Sequence, residues 1–322
     1  MATQQLTIHD IPELAKSLKT AVSSVILGAD QSVQSMILAA FCGGHVLLED
    51  LPGTGKTTLV KAFAKAAGCD FCRVQCTPDL LPADITGYEM LVQQPDGSHQ
   101  MQFRNGPVFT NLLLADEINR MAPRSQSGLL ECMAERQVTA GGKTYPLPAP
   151  FLVFATQNPI ELQGTFPLPE AQLDRFFMRL EMGQPAREQE LSVLNDRQTA
   201  DPLESLCAVT TPEILCAAQE AVKTVSASPA VLDYLLDLAD ATRKHPQLRF
   251  GLSTRGVLAL RHAAQANAAV AGRDYLLPDD IKAVFSAVCS HRLHPAGGLL
   301  TGSHAVNDLI SGLLRSVEVK KG

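Results

Sequence analysis

Tryptophan is missing from this 322-residue sequence, and aromatic residues together make up only 5%. A platform of stacked rings for single-stranded nucleic acid is therefore not expected. A basic tail or a Lys/Arg block is missing as well: 27 Lys and Arg face 33 Asp and Glu, a net charge of -6. On that balance no nucleic acid or other polyanion is expected as a partner. The opening, MATQQLTIHD, carries no basic segment followed by an apolar one, the pattern of an export signal. The longest uncharged stretch, Gln31 to Leu48, is interrupted at Gly43-Gly44, too short and too broken to span a bilayer. A cytoplasmic chain with no stable membrane insertion is expected.

Eight cysteines in a chain this long do not make a disulfide framework. Cys69, Cys72 and Cys76 cluster in CDFCRVQC, but a metal site needs a fourth ligand and a loop that folds back. The segment alternates like a strand instead, with Cys72, Val74 and Cys76 on one face as small buried groups. His291 and His294, three apart in SHRLHP, read as a solvated turn at a helix end rather than as ligands.

What is present is a core-forming composition, 46% hydrophobic and 19% charged, suited to a soluble globular protein. Up to about residue 183, short apolar runs alternate with helical stretches. HVLLE (45–49), FCRVQC (71–76), NLLLAD (111–116), FLVFAT (151–156) and FFMRLEM (176–182) are the strand candidates. Near-continuous apolar strands between helices predict a parallel sheet covered on both faces. After Gln184 no comparable strands appear, and amphipathic helices are predicted at 186–198, 212–224, 229–244, 254–271, 278–290 and 303–316. Ser228-Pro229 and Pro278-Asp279-Asp280 are helix openings. The expected organisation is an α/β unit over residues 1–184 and a smaller all-α unit over 185–322, joined near 183–190. Two hairpins are expected to interrupt the first unit, with turns at Asp96-Gly97 and Gly141-Gly142.

The first strand runs into DLPGTGKTT (50–58), followed by a helix starting near Lys56. Such a loop needs glycines so that backbone N–H groups converge on phosphate oxygens, a Lys for the β- and γ-phosphates, and a hydroxyl for Mg2+. Pro52, Gly53, Thr54, Gly55, Lys56, Thr57 and Thr58 are the candidate nucleotide contacts. The helix N-terminus adds partial positive charge. The pattern departs from GxxxxGK[ST] at its first position, where Asp50 stands. LLLADE ends a strand with Asp116 and Glu117, placing two acids at the sheet edge where the loop also lies. Asp116 with Thr57 is the candidate metal site, and Glu117 the group that orients or deprotonates the attacking water. ATP with Mg2+ is the expected ligand. FLVFATQNP delivers Thr156, Gln157 and Asn158 to the same edge, where the Asn158 amide reaches a γ-phosphate or water, or else serves as a turn residue before Pro159.

The motifs GGHVLLEDLPGTGKTTL, TPDLLPADITGYE, FRNGPVF, ADEINR, QSGLLECMAERQVT, FATQNPIE, GTFPLPEAQLDRF and PDDIKAV resemble those of the MoxR family of AAA+ ATPases over nearly the whole chain. The resemblance implies a P-loop AAA+ nucleotide-binding domain with a parallel sheet, followed by the helical lid. It implies Asn158 as sensor 1, Arg255 as sensor 2 and Arg175 as the arginine finger acting on a neighbouring subunit, with Arg120, Arg124 and Arg136 as rivals. It further implies a homo-hexameric ring and chaperone-like maturation of a protein client, often one with a von Willebrand factor A domain. A chelatase or activase subunit is the related alternative, and a lone small-molecule kinase the unrelated one. SVILGADQ (24–31) resembles the base-pocket segment, with Val25, Ile26 and Gly28 as candidates and core packing as the other reading.

Overall fold

Alternation of apolar runs with helical periodicity places every expected strand of the first half in one sheet. The computed structural model describes residues 6–49, 53–158, 164–183, 202–296 and 303–319, with residues 187, 188 and 191. Helices α1 (Ile11–Ser23) and α2 (Asp30–Phe41) precede β1 (Val46–Glu49), α3 (Lys56–Ala66) and β2 (Phe71–Gln75). A short helix α4 (Pro82–Thr86) leads to the hairpin β3 (Gly87–Gln93) and β4 (His99–Asn105), then to β5 (Leu112–Asp116) and α5 (Pro123–Glu135). The second hairpin, β6 (Gln137–Ala140) and β7 (Lys143–Pro146), precedes β8 (Leu152–Gln157), α6 (Glu170–Leu173) and β9 (Met178–Leu180).

The five-stranded sheet has the order β2-β5-β8-β1-β9, and all its pairs are parallel. Successive side chains point to opposite faces of a strand, and the two cores follow that rule. Val46, Leu48, Leu112, Leu114, Leu152 and Phe154 enter one core, while Leu47, Leu113, Ala115, Val153 and Ala155 enter the other. Because both faces are buried, these strands read as continuous apolar runs. β1 lies between β8 and β9, while the next strand of the sheet, β2, sits at the far edge. That change of direction opens a crevice at the carboxyl ends of the strands.

The second half supplies α7 (Pro202–Ser205), α8 (Pro212–Lys223), α9 (Pro229–Lys244), β10 (Leu248–Phe250), α10 (Thr254–Val270), α11 (Pro278–Cys289), β11 (His294–Pro295) and α12 (Ser303–Ser316). Ser228 and Ser253 cap α9 and α10 by accepting from Val231 N–H and Gly256 N–H, satisfying donors that lack an intrahelical partner. These helices share the core of α1, α2 and α3. Gln219 donates to the Ala40 carbonyl at 2.9 Å, tying α8 to α2. The predicted joint near 183–190 and most of the predicted helix 186–198 lie outside the described residues.

Two expectations are corrected in this half. β10 and β11 form a small antiparallel pair, too short to leave a period-2 signature. His291 is not a solvated turn residue: it is 4% exposed, and its Nε2 lies 3.0 Å from the Phe176 carbonyl. Burial, with help from the Arg292 charge, holds its pKa well below the usual histidine value. Arg292 is equally buried and donates to the Asp174 carboxylate at 2.7 Å and to the carbonyls of Phe176 and Phe177 at 2.6 and 3.1 Å. The end of α11 therefore grips the segment that carries Arg175. Of the two hairpins, the first is anchored on the second by Phe103 stacked on Tyr145, 4.1 Å between centroids.

Candidate active site

Residues 50–52, and so the candidate Pro52, lie outside the described residues. Gly53 and Gly55 have φ of +84° and +86°, a region glycine enters without penalty. A Cβ on either would meet no atom within 4 Å, so backbone conformation rather than crowding requires glycine there. The open space beside them belongs to a cavity of about 390 Å3 lined by Gly53, Gly55, Lys56, Thr57, Thr58, Asp116, Glu117, Thr156, Gln157 and Asn158. Lys56 and Thr57 open α3, whose first N–H groups have no intrahelical partner and favour an anion. The sheet thus brings three sequence motifs, separated by tens of residues, to one volume suited to a nucleotide's phosphates.

Asp116 ends the fully buried β5. Its Oδ1 accepts from Thr156 Oγ1 at 2.5 Å, and its Oδ2 accepts from Arg73 Nε and Nη2 at 3.0 and 2.7 Å. Thr57 Oγ1 stands 3.5 Å from the same Oδ2. Glu117 is left-handed, at φ 60° and ψ 53°, a conformation that costs a residue with a Cβ roughly 1–2 kcal/mol. Its N–H donates to Thr156 Oγ1 at 2.8 Å, which pins the strained position. The Glu117 carboxylate accepts from Gln75 Nε2 at 2.9 Å and has Arg120 Nε at 3.5 Å. Gln75 Oε1 in turn accepts from Arg73 Nη2 at 2.9 Å. The two acids are therefore joined through Arg73 and Gln75, both carried by β2.

Arg73 and Gln75 escape sequence reading. The signal that could have found them is the strand alternation itself: with Val74 and Cys76 in the core, Arg73 and Gln75 must share the other face of β2. That this face meets the ends of β5 depends on the pairing of Gln75 with Asp116. Cys72, Val74 and Cys76 pack together as expected for a strand face. The Cys76 thiol is pushed up to about 12 by burial first and then by the Asp116 and Glu117 charges.

Asn158 lines the cavity, and its carbonyl accepts from Asn119 Nδ2 at 3.4 Å. Thr54, Gly28, Arg175 and Arg255 are not among the described residues lining it. Gly28 is exposed at φ +80°, while Val25 and Ile26 are buried in the core. Arg175 is exposed and donates from Nη1 to the Leu130 carbonyl at 3.1 Å. Arg255 is the exposed second residue of α10, whose cap Ser253 donates to Asp174 at 3.0 Å. Among the rival arginines, Arg120 stands beside Glu117 of its own chain and Arg136 donates to the Gly43 carbonyl at 3.0 Å. Arg124 is exposed at the start of α5.

The Thr57 hydroxyl and Asp116 carboxylate form an all-oxygen donor pair at the cavity floor, the preference of a hard cation such as Mg2+. With Lys56 beside them, these residues fit a magnesium-bound polyphosphate.

A P-loop at the switch point of a parallel sheet, with two acids at the carboxyl end of β5, one strand removed from β1, marks a P-loop ATPase. Residues 45–178 match the ATPase family associated with various cellular activities (AAA), and residues 240–307 match the AAA lid domain. The chain is 44% identical to the uncharacterized protein YeaC of Bacillus subtilis over 88% of each chain. It is 43% identical to Chaperone MoxR1 of Mycobacterium tuberculosis over 84% of this chain and 73% of that one. A solved structure of a candidate ATPase from Cytophaga hutchinsonii superposes with a TM-score of 0.87 at 35% identity, covering 97% of this chain and 96% of that one. The chain belongs to the MoxR family of AAA+ ATPases. Among the described residues no helix is long and apolar enough to cross a membrane.

Proposed function

We propose that the chain is a magnesium-dependent motor that remodels or activates a protein client in the cytoplasm, working as a homo-hexameric ring with a von Willebrand factor A-domain partner. In this reading residues 1–184 hold the nucleotide and residues 185–322 act as the lid. The observation that carries the hydrolytic part is the convergence of Lys56, Thr57, Asp116, Glu117 and Asn158 on one cavity.

Lys56 and the N–H groups opening α3 bind the β- and γ-phosphates. Thr57 and Asp116 hold the ion, which when bound neutralises charge on the phosphate oxygens. Glu117 accepts the proton of the water whose oxygen bonds to the γ-phosphorus as the bond to the leaving ADP oxygen breaks. Its left-handed backbone and the Gln75 amide set the direction of that carboxylate. Asn158 orients the γ-phosphate or the water. Arg255 contacts the γ-phosphate from the lid, and Arg175 reaches the neighbouring subunit's nucleotide. Nucleotide turnover then changes the angle between the two units and moves the client.

Glu117→Gln tests the core of this reading. The amide keeps the side chain's size but cannot take a proton, while Lys56 and Thr57 are intact. ATP binding should persist and turnover should fall by about two to four orders of magnitude. Lys56→Ala should weaken binding itself. Turnover near that of the wild type in Glu117→Gln removes Glu117 from the mechanism.

A further inference from the structure

We propose that Arg73 is a built-in counter-cation for Asp116 that competes with the divalent ion, so that the site accepts the ion only together with a polyphosphate. The inference rests on the reading of Thr57 and Asp116 as the ion's holders and concerns what else bears on that carboxylate.

Asp116 has two oxygens, and Thr156 holds Oδ1 at 2.5 Å. The remaining oxygen, Oδ2, is the one that faces Thr57, and it already accepts Nε–H and Nη2–H from Arg73. A carboxylate oxygen has about two lone-pair sites. An ion reaching Oδ2 therefore meets an oxygen whose acceptor capacity and charge are both engaged. Glu117, the other acid of the site, has Arg120 at 3.5 Å. Each carboxylate of the cavity is thus faced by a guanidinium of its own chain, and a bare cation finds little net negative charge. The phosphates of a nucleotide restore that charge.

The same geometry lets Arg73 yield. Its side chain is 45% exposed, against 12% for Asp116, so the guanidinium can move outward while the carboxylate cannot. Gln75 Oε1 already accepts from Nη2 at 2.9 Å and gives the displaced group a partner. Arg73 is a positioning residue in this scheme: it acts through Asp116 and sets when the ion binds, without touching the reacting atoms. For like charges bearing on one carboxylate, even the screening of bulk water leaves roughly a tenfold effect on affinity.

The test is binding of Mn2+ alone, without nucleotide, to the full chain, followed by electron paramagnetic resonance of the free ion. Arg73→Gln should bind Mn2+ about tenfold or more tightly than the wild type. Arg73→Lys, which keeps the charge, should stay near the wild type. Adding Asp116→Asn to Arg73→Gln should abolish the gain, which separates a change at this carboxylate from a general change in structure. Arg73→Met keeps an apolar stem without charge and repeats the measurement should the glutamine variant not fold. Neutral variants that bind Mn2+ no more tightly than the wild type, or a lysine variant that gains as much as glutamine, overturn the proposal. Mn2+ binding with a non-hydrolysable ATP analogue is measured alongside in the wild type and in Asp116→Asn. If Asp116→Asn leaves that binding unchanged, the reading of the ion site falls and the proposal falls with it.

Discussion

His45 precedes the strand that feeds the phosphate loop, and its burial should lower the stability of the fold in mild acid. The ring is 6% exposed. Its Nδ1 accepts from Val153 N–H at 3.0 Å, and its Nε2–H donates to the Met133 carbonyl at 2.9 Å. The neutral ring therefore ties the first strand to the fifth helix and to the strand that carries Asn158. A proton added at Nδ1 would place one donor against another. Burial is the main cause that pushes the His45 pKa down from 6.5 to about 4, opposed by the Met133 bond and aided by Arg136. Because the folded-state value lies below the unfolded one, the unfolded chain takes up the extra proton between those values. The contribution is complete above about pH 6.5 and is lost as the pH falls towards 4, a change of about 3 kcal/mol at 1.36 kcal/mol per unit. His291, held down by its own burial, acts in the same sense, whereas Glu49, whose carboxyl burial pushes up, acts in the opposite one. The informative quantity is thus the difference between the wild type and His45→Asn, which keeps an acceptor for Val153, loses the Met133 bond and does not titrate. Urea midpoints read by circular dichroism from pH 7.5 to 4.5 should show the variant less stable by about 1–3 kcal/mol at the upper end. The gap should close by about 2–3 kcal/mol at the lower end. Curves that stay parallel across this range would refute the argument.

Arg175→Ala should bind ATP and lose most turnover, and mixing it with Glu117→Gln should restore activity if the finger acts between subunits; mixed rings that stay inactive after confirmed subunit exchange would send the search to Arg120, Arg124 and Arg136. Trimming residues 95–98 removes only the exposed turn where Asp96 accepts from Ser98, and the Phe103–Tyr145 stack keeps the hairpin base in place. Basal ATPase should therefore survive and client-stimulated turnover should fall, whereas loss of folding would make the tip structural. Arg292→Leu strands the Asp174 carboxylate and the carbonyls of Phe176 and Phe177, so urea unfolding should show about 3 kcal/mol of lost stability. A wild-type midpoint would mean that this grip does not hold the two units together.

Much of the ATPase is legible from the sequence because its signals are local. The glycines of PGTGKTT are needed by the backbone at those positions whatever surrounds them, as the positive φ of Gly53 and Gly55 bears out. Apolar runs such as LLLAD declare a strand buried on both faces, and Ser228-Pro229 declares a helix start. The second carboxylate of ADE is legible as an acid at a strand's end, but its left-handed backbone and its orienting partners are not. Those depend on which strands become neighbours. Arg73 meets Asp116 across 43 residues and Gln75 meets Glu117 across 42 only because the second strand of the chain pairs with the fifth. Arg292 meets Asp174 across 118 residues, and the adjacent His291 is buried although SHRLHP reads as polar and exposed. Local periodicity encodes which face of an element is apolar. The partner of each polar face is chosen by sheet order, register and helix packing, so the charge pairing around Asp116 exists only once the chain is folded.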